Sequence, residues 1–369
     1  MIRLTRPSIE ADDLRAVEEV LRSGYLVQGQ HVAVFERALE QYVGTRFAVA
    51  VSNGTAALYL ALMALGVERG NAVAVTAYSW PATANVIVLC GATPIFVDID
   101  PQTYNMDPDA LGRALATTRC KAILPVHTFG GMADVKAIGD ISRKYEVPII
   151  EDAACALGTS FEDRKAGTWG GMGCFSFHPR KAITTGEGGA ITTDNAAWAR
   201  KLRQLRNHGV DPEAAVPDFV EAGFNMRLTE FQAALGTTQL AKLERIIEAR
   251  RRCAKQYDAL FADSEVAVPR SLPGSRHVYQ SYVVLLPAQA ASRRAAILAA
   301  LRNQGIEATV GTYHIPMTTF FREKYGFRQG DFPVSDDVAS RAVTLPLFEG
   351  LQSEQQQEVA DGLLVALRL

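Results

Sequence analysis

Between residues 47 and 193 the chain alternates short apolar runs with segments of helical periodicity. The apolar runs are hydrophobic at nearly every position, which is typical of strands covered on both faces. Strands that alternate with helices predict an α/β fold built on a mainly parallel sheet. The predicted strands span 47–52, 72–76, 94–98, 122–126, 148–152, 174–177 and 190–193, and the predicted helices span 55–65, 82–89, 108–116 and 133–145. The last two strands leave no room for a crossover helix, so one of them is expected to run antiparallel.

The pattern changes after about residue 263, where a strand, a helix, a second strand and a closing helix follow one another. A length of 369 residues corresponds to roughly two domains at about 150 residues each. We therefore predict a large domain over residues 1–249 and a small C-terminal α/β domain over residues 250–369. The first 20 or so residues are expected to pack with the small domain.

The composition excludes several classes of function. The formal net charge is −2, with 38 basic and 40 acidic residues, so there is no basic field for nucleic acid. No apolar run reaches the roughly 20 residues that a membrane span needs. The five cysteines are scattered without a CxxC pair, which favours a reduced, cytoplasmic protein. No His and Cys residues stand at metal-ligand spacing, so no metal site is expected.

Two segments end strands with residues that bind ligands in α/β folds. Gly54 and Thr55 follow the first strand and open a helix, where free amides and the helix dipole attract anions. Asp152 ends an apolar strand, at the edge where open sheets bind ligands, and its carboxylate could pair with a cationic ring nitrogen. The alternative for Gly54 and Thr55 is an ordinary turn with an N-cap, and the alternative for Asp152 is an N-cap of the next segment.

Three further side chains stand in unusual surroundings. Lys181 lies between two strand-like runs in a Gly/Thr-rich loop, where burial or neighbouring cations would make its amine a nucleophile. Trp80 follows a strand and could stack on a planar ligand, or it could be core. His127 ends another strand as a ligand contact or as a buried polar residue with its bonds satisfied. The segment Gly186-Glu187-Gly188-Gly189 is not a dinucleotide fingerprint, because a third glycine is missing and a strand follows.

In this order, these motifs resemble the DegT/DnrJ/EryC1/StrS family of pyridoxal-phosphate aminotransferases over roughly residues 5–365. The resemblance implies a dimeric fold type I transferase: a large domain with a mainly parallel seven-stranded sheet, plus a smaller C-terminal α/β domain. Lys181 matches the Schiff-base lysine, Asp152 the partner of the pyridine nitrogen, and Trp80 the aromatic that stacks on the ring. The other cofactor-binding matches are Gly54, Thr55 and Ser176 at the phosphate, Asn225 reaching the neighbouring subunit's phosphate, and Cys155, where the family often has Gln or His.

The resemblance also implies the reaction, which is ping-pong transfer of an amino group from glutamate to a nucleotide-diphosphate-linked 3- or 4-keto-deoxysugar. Candidate substrate residues are His127, Glu187, Tyr313 and His314. An aminocyclitol ketone is the alternative acceptor. A cofactor-binding regulator without turnover is the alternative from another class, although no DNA-binding domain or basic stripe is visible.

Overall fold

The computed structural model describes residues 1–211 and 213–368. Its helices are α1 (Ala11–Ser23), α2 (Gln30–Val43), α3 (Gly54–Ala64), α4 (Ala82–Leu89), α5 (Pro108–Thr117), α6 (Val135–Tyr145), α7 (Ala196–Arg206), α8 (Glu230–Leu260), α9 (Arg294–Asn303), α10 (Thr319–Tyr325), α11 (Pro333–Arg341) and α12 (Ser353–Arg368). Its strands are β1 (Phe47–Val51), β2 (Ala72–Thr76), β3 (Tyr78–Ser79), β4 (Thr93–Val97), β5 (Ala122–Leu124), β6 (Ile150–Asp152), β7 (Ser160–Phe161), β8 (Arg164–Lys165), β9 (Met172–Ser176), β10 (Gly189–Thr193), β11 (Ser275–Arg276), β12 (Tyr282–Leu285), β13 (Thr309–Val310), β14 (Tyr313–His314) and β15 (Ala342–Leu345).

The central layer consists of two adjoining sheets with the strand orders β4-β2-β5 and β6-β9-β10-β1. Parallel bridges from Ile123 to Ile149 and from Val126 to Asp152 join β5 to β6, so seven strands run side by side in the described residues. Strand β10 is antiparallel to both of its neighbours, and the other pairings in this layer are parallel. The predicted mainly parallel sheet is therefore confirmed, and so is the antiparallel strand expected among the last two, which is β10.

Both faces of this layer are buried, which explains why its strands are apolar at consecutive positions. In β1, Val49 and Val51 belong to the hydrophobic cluster that contains α3 and α4. Ala48 and Ala50 point the other way, into a cluster formed with α2 and α8. Successive side chains of a strand face opposite sides, so each strand contributes to two cores.

The C-terminal part carries its own antiparallel sheet, in the order β12-β15-β13. Helices α8, α9 and α12 contribute to the hydrophobic cluster that includes this sheet, with Tyr257 and Tyr282 stacked at a ring distance of 4.9 Å. The next strand, β14, leaves this region and pairs with β3 of the central region. The C-terminal region thus reaches back to the carboxyl edge of the parallel strands.

Helix α8 passes through residues 249 and 250, so the predicted boundary falls inside a continuous helix. Ile2 pairs with Ile306, while α1 packs on α8 through a buried ion pair between Asp13 and Lys242 of 2.6 Å. The division into two domains stays a prediction, and its last residue, 369, lies outside the described residues. Within the described residues, no helix combines the length and apolarity that crossing a membrane requires.

Candidate active site

The register of the strands brings Gly54 and Thr55, the predicted anion-binding segment, against the end of β9. Val51 pairs with Gly189, and Gly189 pairs with Ser176, so the chain that leaves β1 passes beside Ser176. A Cβ placed on Gly54 would lie 2.8 Å from the Cβ of Ser176, so glycine is needed for this approach. Asn53 caps α3 by accepting a hydrogen bond from the Ala56 N–H (2.8 Å). The result is a narrow cradle at a helix N-terminus, formed by Gly54, Thr55 and Ser176.

Asp152 ends β6 and is 4% exposed. Its Oδ2 accepts a hydrogen bond from the Thr83 hydroxyl (2.8 Å), and its Oδ1 accepts one from the Ala154 N–H (3.2 Å). Burial raises the pKa of the Asp152 carboxyl, while these two hydrogen bonds and the positive charge of Lys181 act in the opposite direction. Among the described residues, this buried carboxylate has two neutral hydrogen-bond donors and no salt bridge, so it is well prepared to accept a bond from a cation.

Lys181 lies in the loop between β9 and β10, held by a turn in which its N–H donates to the His178 carbonyl (2.8 Å). The half-buried Lys181 amine lies 3.0 Å from the half-buried Sγ of Cys155, which follows β6 by three residues. The amide of Gln280, from the C-terminal part of the chain, donates to the carbonyl of Arg180. The lysine therefore stands beside the strand that ends at Asp152.

Trp80 and Tyr313 form an aromatic rim. Trp80 is 59% exposed and Tyr313 is 43% exposed, with their rings edge to face at a centroid distance of 5.5 Å. The contact exists because Tyr313 pairs with Ser79 in the short β3–β14 ladder. Two large aromatic side chains left open to solvent at the end of a sheet are suited to a planar or cyclic ligand.

His127, by contrast, is not brought to this rim. It is 0% exposed, with Nε2 2.8 Å from Glu151 Oε2 and Nδ1 accepting the Ala133 N–H (3.1 Å). The second bond fixes the proton on Nε2, which donates to Glu151. Of the two readings open at the sequence level, the geometry matches the buried polar residue, because neither ring nitrogen is free to meet a substrate.

The remaining predicted residues occupy different settings. His314 is buried, with Nδ1 3.2 Å from Asp336 and Nε2 without a hydrogen-bond partner among the described residues. Burial lowers the pKa of His314, against the opposing charges of Asp336 and Asp98. Glu187 is exposed beside His178, and Asn225 is exposed next to its bridge with Asn207. The described residues of this one chain bring neither Glu187 nor Asn225 against Asp152.

The sequence analysis missed Thr83 and Glu151. Thr83 is 1% exposed in the first turn of α4 and binds Asp152 directly. Glu151 directly precedes Asp152, and its carboxylate accepts four hydrogen bonds, from His127 and the N–H groups of Gly167, Trp169 and Gly170. A hydroxyl three residues after Trp80 was the available signal for Thr83.

These residues fit the cofactor that the resemblance implies. The cradle at Gly54 and Ser176 suits a phosphate because it offers helix N-terminal amides and a hydroxyl in a space that a Cβ would fill. Asp152 suits a protonated pyridine nitrogen, since a buried carboxylate gains most from a cationic partner. Lys181 supplies the amine. No cluster of His, Cys, Asp and Glu in the described residues could hold a metal ion.

Comparison with known proteins agrees with this geometry. The model of the DegT/DnrJ/EryC1/StrS aminotransferase family matches residues 7–364. A pleiotropic regulatory protein of Geobacillus stearothermophilus is 35% identical over 361 residues, which cover 96% of this chain and 94% of the relative.

Two similar solved structures are aminotransferases. PseC of Helicobacter pylori, an aminotransferase involved in the biosynthesis of pseudoaminic acid, superposes with a TM-score of 0.94 at 29% identity, covering 100% of this chain and 99% of that one. The putative sugar aminotransferase Spr1654 of Streptococcus pneumoniae, in its PMP form, superposes with a TM-score of 0.95 at 26% identity and the same coverage. The chain therefore belongs to the DegT/DnrJ/EryC1/StrS aminotransferase family, and it is a pyridoxal-phosphate-dependent aminotransferase of fold type I.

Proposed function

We propose that this aminotransferase transfers an amino group from glutamate to a keto-sugar, namely a nucleotide-diphosphate-linked 3- or 4-keto-deoxysugar. The observation that carries the proposal is the open aromatic rim of Trp80 and Tyr313. The Trp80 carbonyl accepts a hydrogen bond from the N–H of Thr83, whose hydroxyl binds Asp152, so the rim lies near the buried carboxylate. A rim of this kind leaves space for a bulky cyclic acceptor outside the buried carboxylate. The end-to-end likeness to PseC, an aminotransferase involved in the biosynthesis of pseudoaminic acid, supports the same class of acceptor.

We assign the roles within the site as follows. The cofactor supplies, when bound, a ring that accepts electrons from the carbon that loses its proton. Asp152 holds the proton on the ring nitrogen by charge and by a hydrogen bond. Lys181, once its amine is free, takes a proton at Nζ and returns it on the same side of the bound substrate. Trp80 would stack on the ring, and Gly54, Thr55 and Ser176 would hold the phosphate.

Cys155 is proposed as part of the same site, although its position often carries Gln or His in the family. Its sulfur is 3.0 Å from Lys181 Nζ, so it contacts the free amine between half-reactions. A thiol is a weak donor and a weak acceptor. Cys155 therefore adjusts the lysine's position and contributes little binding energy of its own.

The active form is proposed to be a homodimer with shared sites. Asn225 is exposed in a single chain, as a residue that serves the neighbouring subunit's phosphate should be. Apolar side chains that a monomer would leave in water support this assembly, among them Tyr25 (81% exposed), Val27 (66%) and Phe219 (65%). Glu187 and Tyr313 are proposed to meet the acceptor at the mouth of the site.

The acceptor is tested by product analysis. The enzyme is first converted to its amino form with glutamate, freed of excess donor, and offered single ketones. The panel contains a nucleotide-linked 3-keto-deoxysugar, a nucleotide-linked 4-keto-deoxysugar and an aminocyclitol ketone. We expect stoichiometric amination of one of the nucleotide-linked sugars, seen by mass spectrometry. Amination of the cyclitol ketone alone would overturn the sugar assignment while leaving the aminotransferase assignment intact.

A further inference from the structure

Two buried hydroxyls stand in line behind the carboxylate of Asp152. The Thr83 hydroxyl lies 2.8 Å from Asp152 Oδ2, and the Ser79 hydroxyl lies 3.1 Å from the Thr83 hydroxyl. Thr83 is 1% exposed and Ser79 is 5% exposed, so water does not compete for either bond. No role in the reaction follows from the motifs for either residue.

The chemistry of the acceptor fixes the direction of this chain. An ionised carboxylate accepts hydrogen bonds and donates none, so the Thr83 hydroxyl must donate its single hydrogen bond to Asp152. The oxygen of Thr83 is then free to accept, and Ser79 is the neighbour positioned to donate to it. Hydrogen bonds in such a chain polarise one another, so that the bond to the charged end becomes stronger.

We propose that Thr83 is a positioning residue for the transamination, and that Ser79 orients the Thr83 hydroxyl so that Asp152 stays ionised and aimed at the pyridine nitrogen. This inference rests on the role proposed above for Asp152. Thr83 acts through Asp152 and need not touch the cofactor. Ser79, the first residue in this chain of hydrogen bonds, also pairs through its backbone with Tyr313 on the rim of the site.

The electrostatics around Asp152 show why such support is needed. Burial raises the pKa of its carboxyl, and the hydrogen bond from Thr83 is the largest influence in the opposite direction, ahead of the Ala154 N–H, Lys181 and His127. Cys174, in the neighbouring strand, is buried, and burial and the charge of Asp152 both raise the pKa of its thiol, so it stays neutral and adds no negative charge beside Asp152. Removing the Thr83 hydroxyl would therefore favour the protonated carboxyl, which cannot pair with a protonated ring nitrogen.

The test uses binding of pyridoxamine phosphate, which forms no bond to Lys181 and so reports the ring contact separately from activity. Four variants of the full chain are compared with the wild type: Thr83→Val, Thr83→Ser, Ser79→Ala and Asp152→Asn. The dissociation constant is measured by equilibrium titration from neutral to acidic pH. Thermal unfolding of each variant checks the fold.

We expect Thr83→Val to weaken binding by about tenfold to a hundredfold, the range for a hydrogen bond to a charged group. The pH below which binding is lost should also move upward. Thr83→Ser, which keeps the hydroxyl, should stay within about threefold of the wild type. Ser79→Ala should weaken binding by about threefold to tenfold, as loss of a neutral hydrogen bond does.

The outcomes distinguish a failure of the positioning role of Thr83 from a failure of the proposed role of Asp152. If Asp152→Asn weakens binding strongly and both Thr83→Val and Ser79→Ala bind as the wild type does, the positioning role is wrong and the proposed site stands. If Asp152→Asn itself leaves binding unchanged, the role of Asp152 is wrong and the inference falls with it. Should Thr83→Val fail to fold, Ser79→Ala decides, because it leaves Thr83 in place.

Discussion

Glu151 and Asp152 are adjacent carboxylates at the end of one strand, and they serve different purposes. Glu151 points to the face occupied by His127 and the loop at residues 167–170, and accepts four hydrogen bonds of 2.6–2.8 Å from fixed donors. Asp152 points to the opposite face and accepts two, from Thr83 and Ala154. Consecutive strand residues face opposite sides, so one side chain is enclosed by the fold and its neighbour is left for a ligand.

Burial alone therefore does not mark a functional carboxylate. Both side chains are almost inaccessible, but the described residues give Glu151 four hydrogen-bond donors and Asp152 two. A buried charge that the fold leaves incompletely paired lowers stability unless a ligand completes it. The predictions that follow ask whether the two faces of β6 can be disturbed separately.

The largest effect is expected at Lys181. Lys181→Ala should abolish turnover, because no other amine is proposed to carry the cofactor and the proton. The same variant should unfold at nearly the temperature of the wild type without cofactor, since the side chain is half-buried and makes a single hydrogen bond among the described residues, to Cys155. Steady-state assays and thermal unfolding check the two halves of this prediction, and full turnover by the variant would refute the site.

Asp152→Asn should lower turnover by orders of magnitude and, without cofactor, raise the midpoint of unfolding at pH 7. The pKa of Asp152 is raised by burial, so its contribution to stability is present below the unfolded pKa of about 3.9 and is lost as pH rises through the folded pKa. The advantage of the Asn variant should therefore appear above about pH 4 and shrink below it. Unfolding curves across this range check the sign, and a variant less stable than the wild type at pH 7 would contradict the comparison.

Glu151→Gln should have the opposite profile. The amide replaces an acceptor with a donor that faces backbone N–H groups, and the expected cost is about 2–4 kcal/mol of unfolding free energy. Glu18→Gln is the matched control, since Glu18 is exposed beside Arg22 and should change stability by less than about 0.5 kcal/mol. Urea unfolding measures both variants, and an undiminished stability for Glu151→Gln would show that the loop at 167–170 does not depend on this carboxylate.

Cys155 should give the smallest effect. Cys155→Ser preserves the size and position of the contact to Lys181, so we expect turnover within about threefold of the wild type and unchanged stability. Cys155→Gln restores the side chain that is common in the family and should leave the cofactor bound at least as tightly. Comparing cofactor affinity and turnover for the two variants distinguishes a positioning contact from an essential thiol, which loss of turnover in both would indicate.

The sequence predicted the parts of the fold whose residues carry their own pattern. The buried strands could be predicted because both of their faces are apolar. Strand β2 and helix α4 match their predicted bounds. Helices α1 and α2 were not predicted, although Glu10 and Asp13 form a capping box at the start of α1. The two-residue strands β3 and β14 exist only because they pair with each other, and a local sequence pattern does not predict such a pairing.

The site residues, too, include some that the sequence predicts and some that only the structure shows. The identity of Lys181 and Asp152 could be proposed from their motifs and positions, because strand ends and glycine-rich loops are recognisable along the chain. The partners could not, since the hydrogen bond from Thr83 to Asp152 joins residues 69 positions apart. Nor could the sequence decide between the two readings of His127, because its bonds depend on which face of β6 Glu151 occupies.

The most direct test is a visible absorption spectrum of the purified protein with pyridoxal phosphate, repeated after adding glutamate and run in parallel on Asp152→Asn and Glu151→Gln. The wild type and Glu151→Gln should show the band of lysine-bound cofactor and lose it with glutamate. Asp152→Asn should keep most of its band when glutamate is added. If Asp152→Asn responds to glutamate as the wild type does, the assignment of Asp152 as the carboxylate that serves the cofactor is wrong.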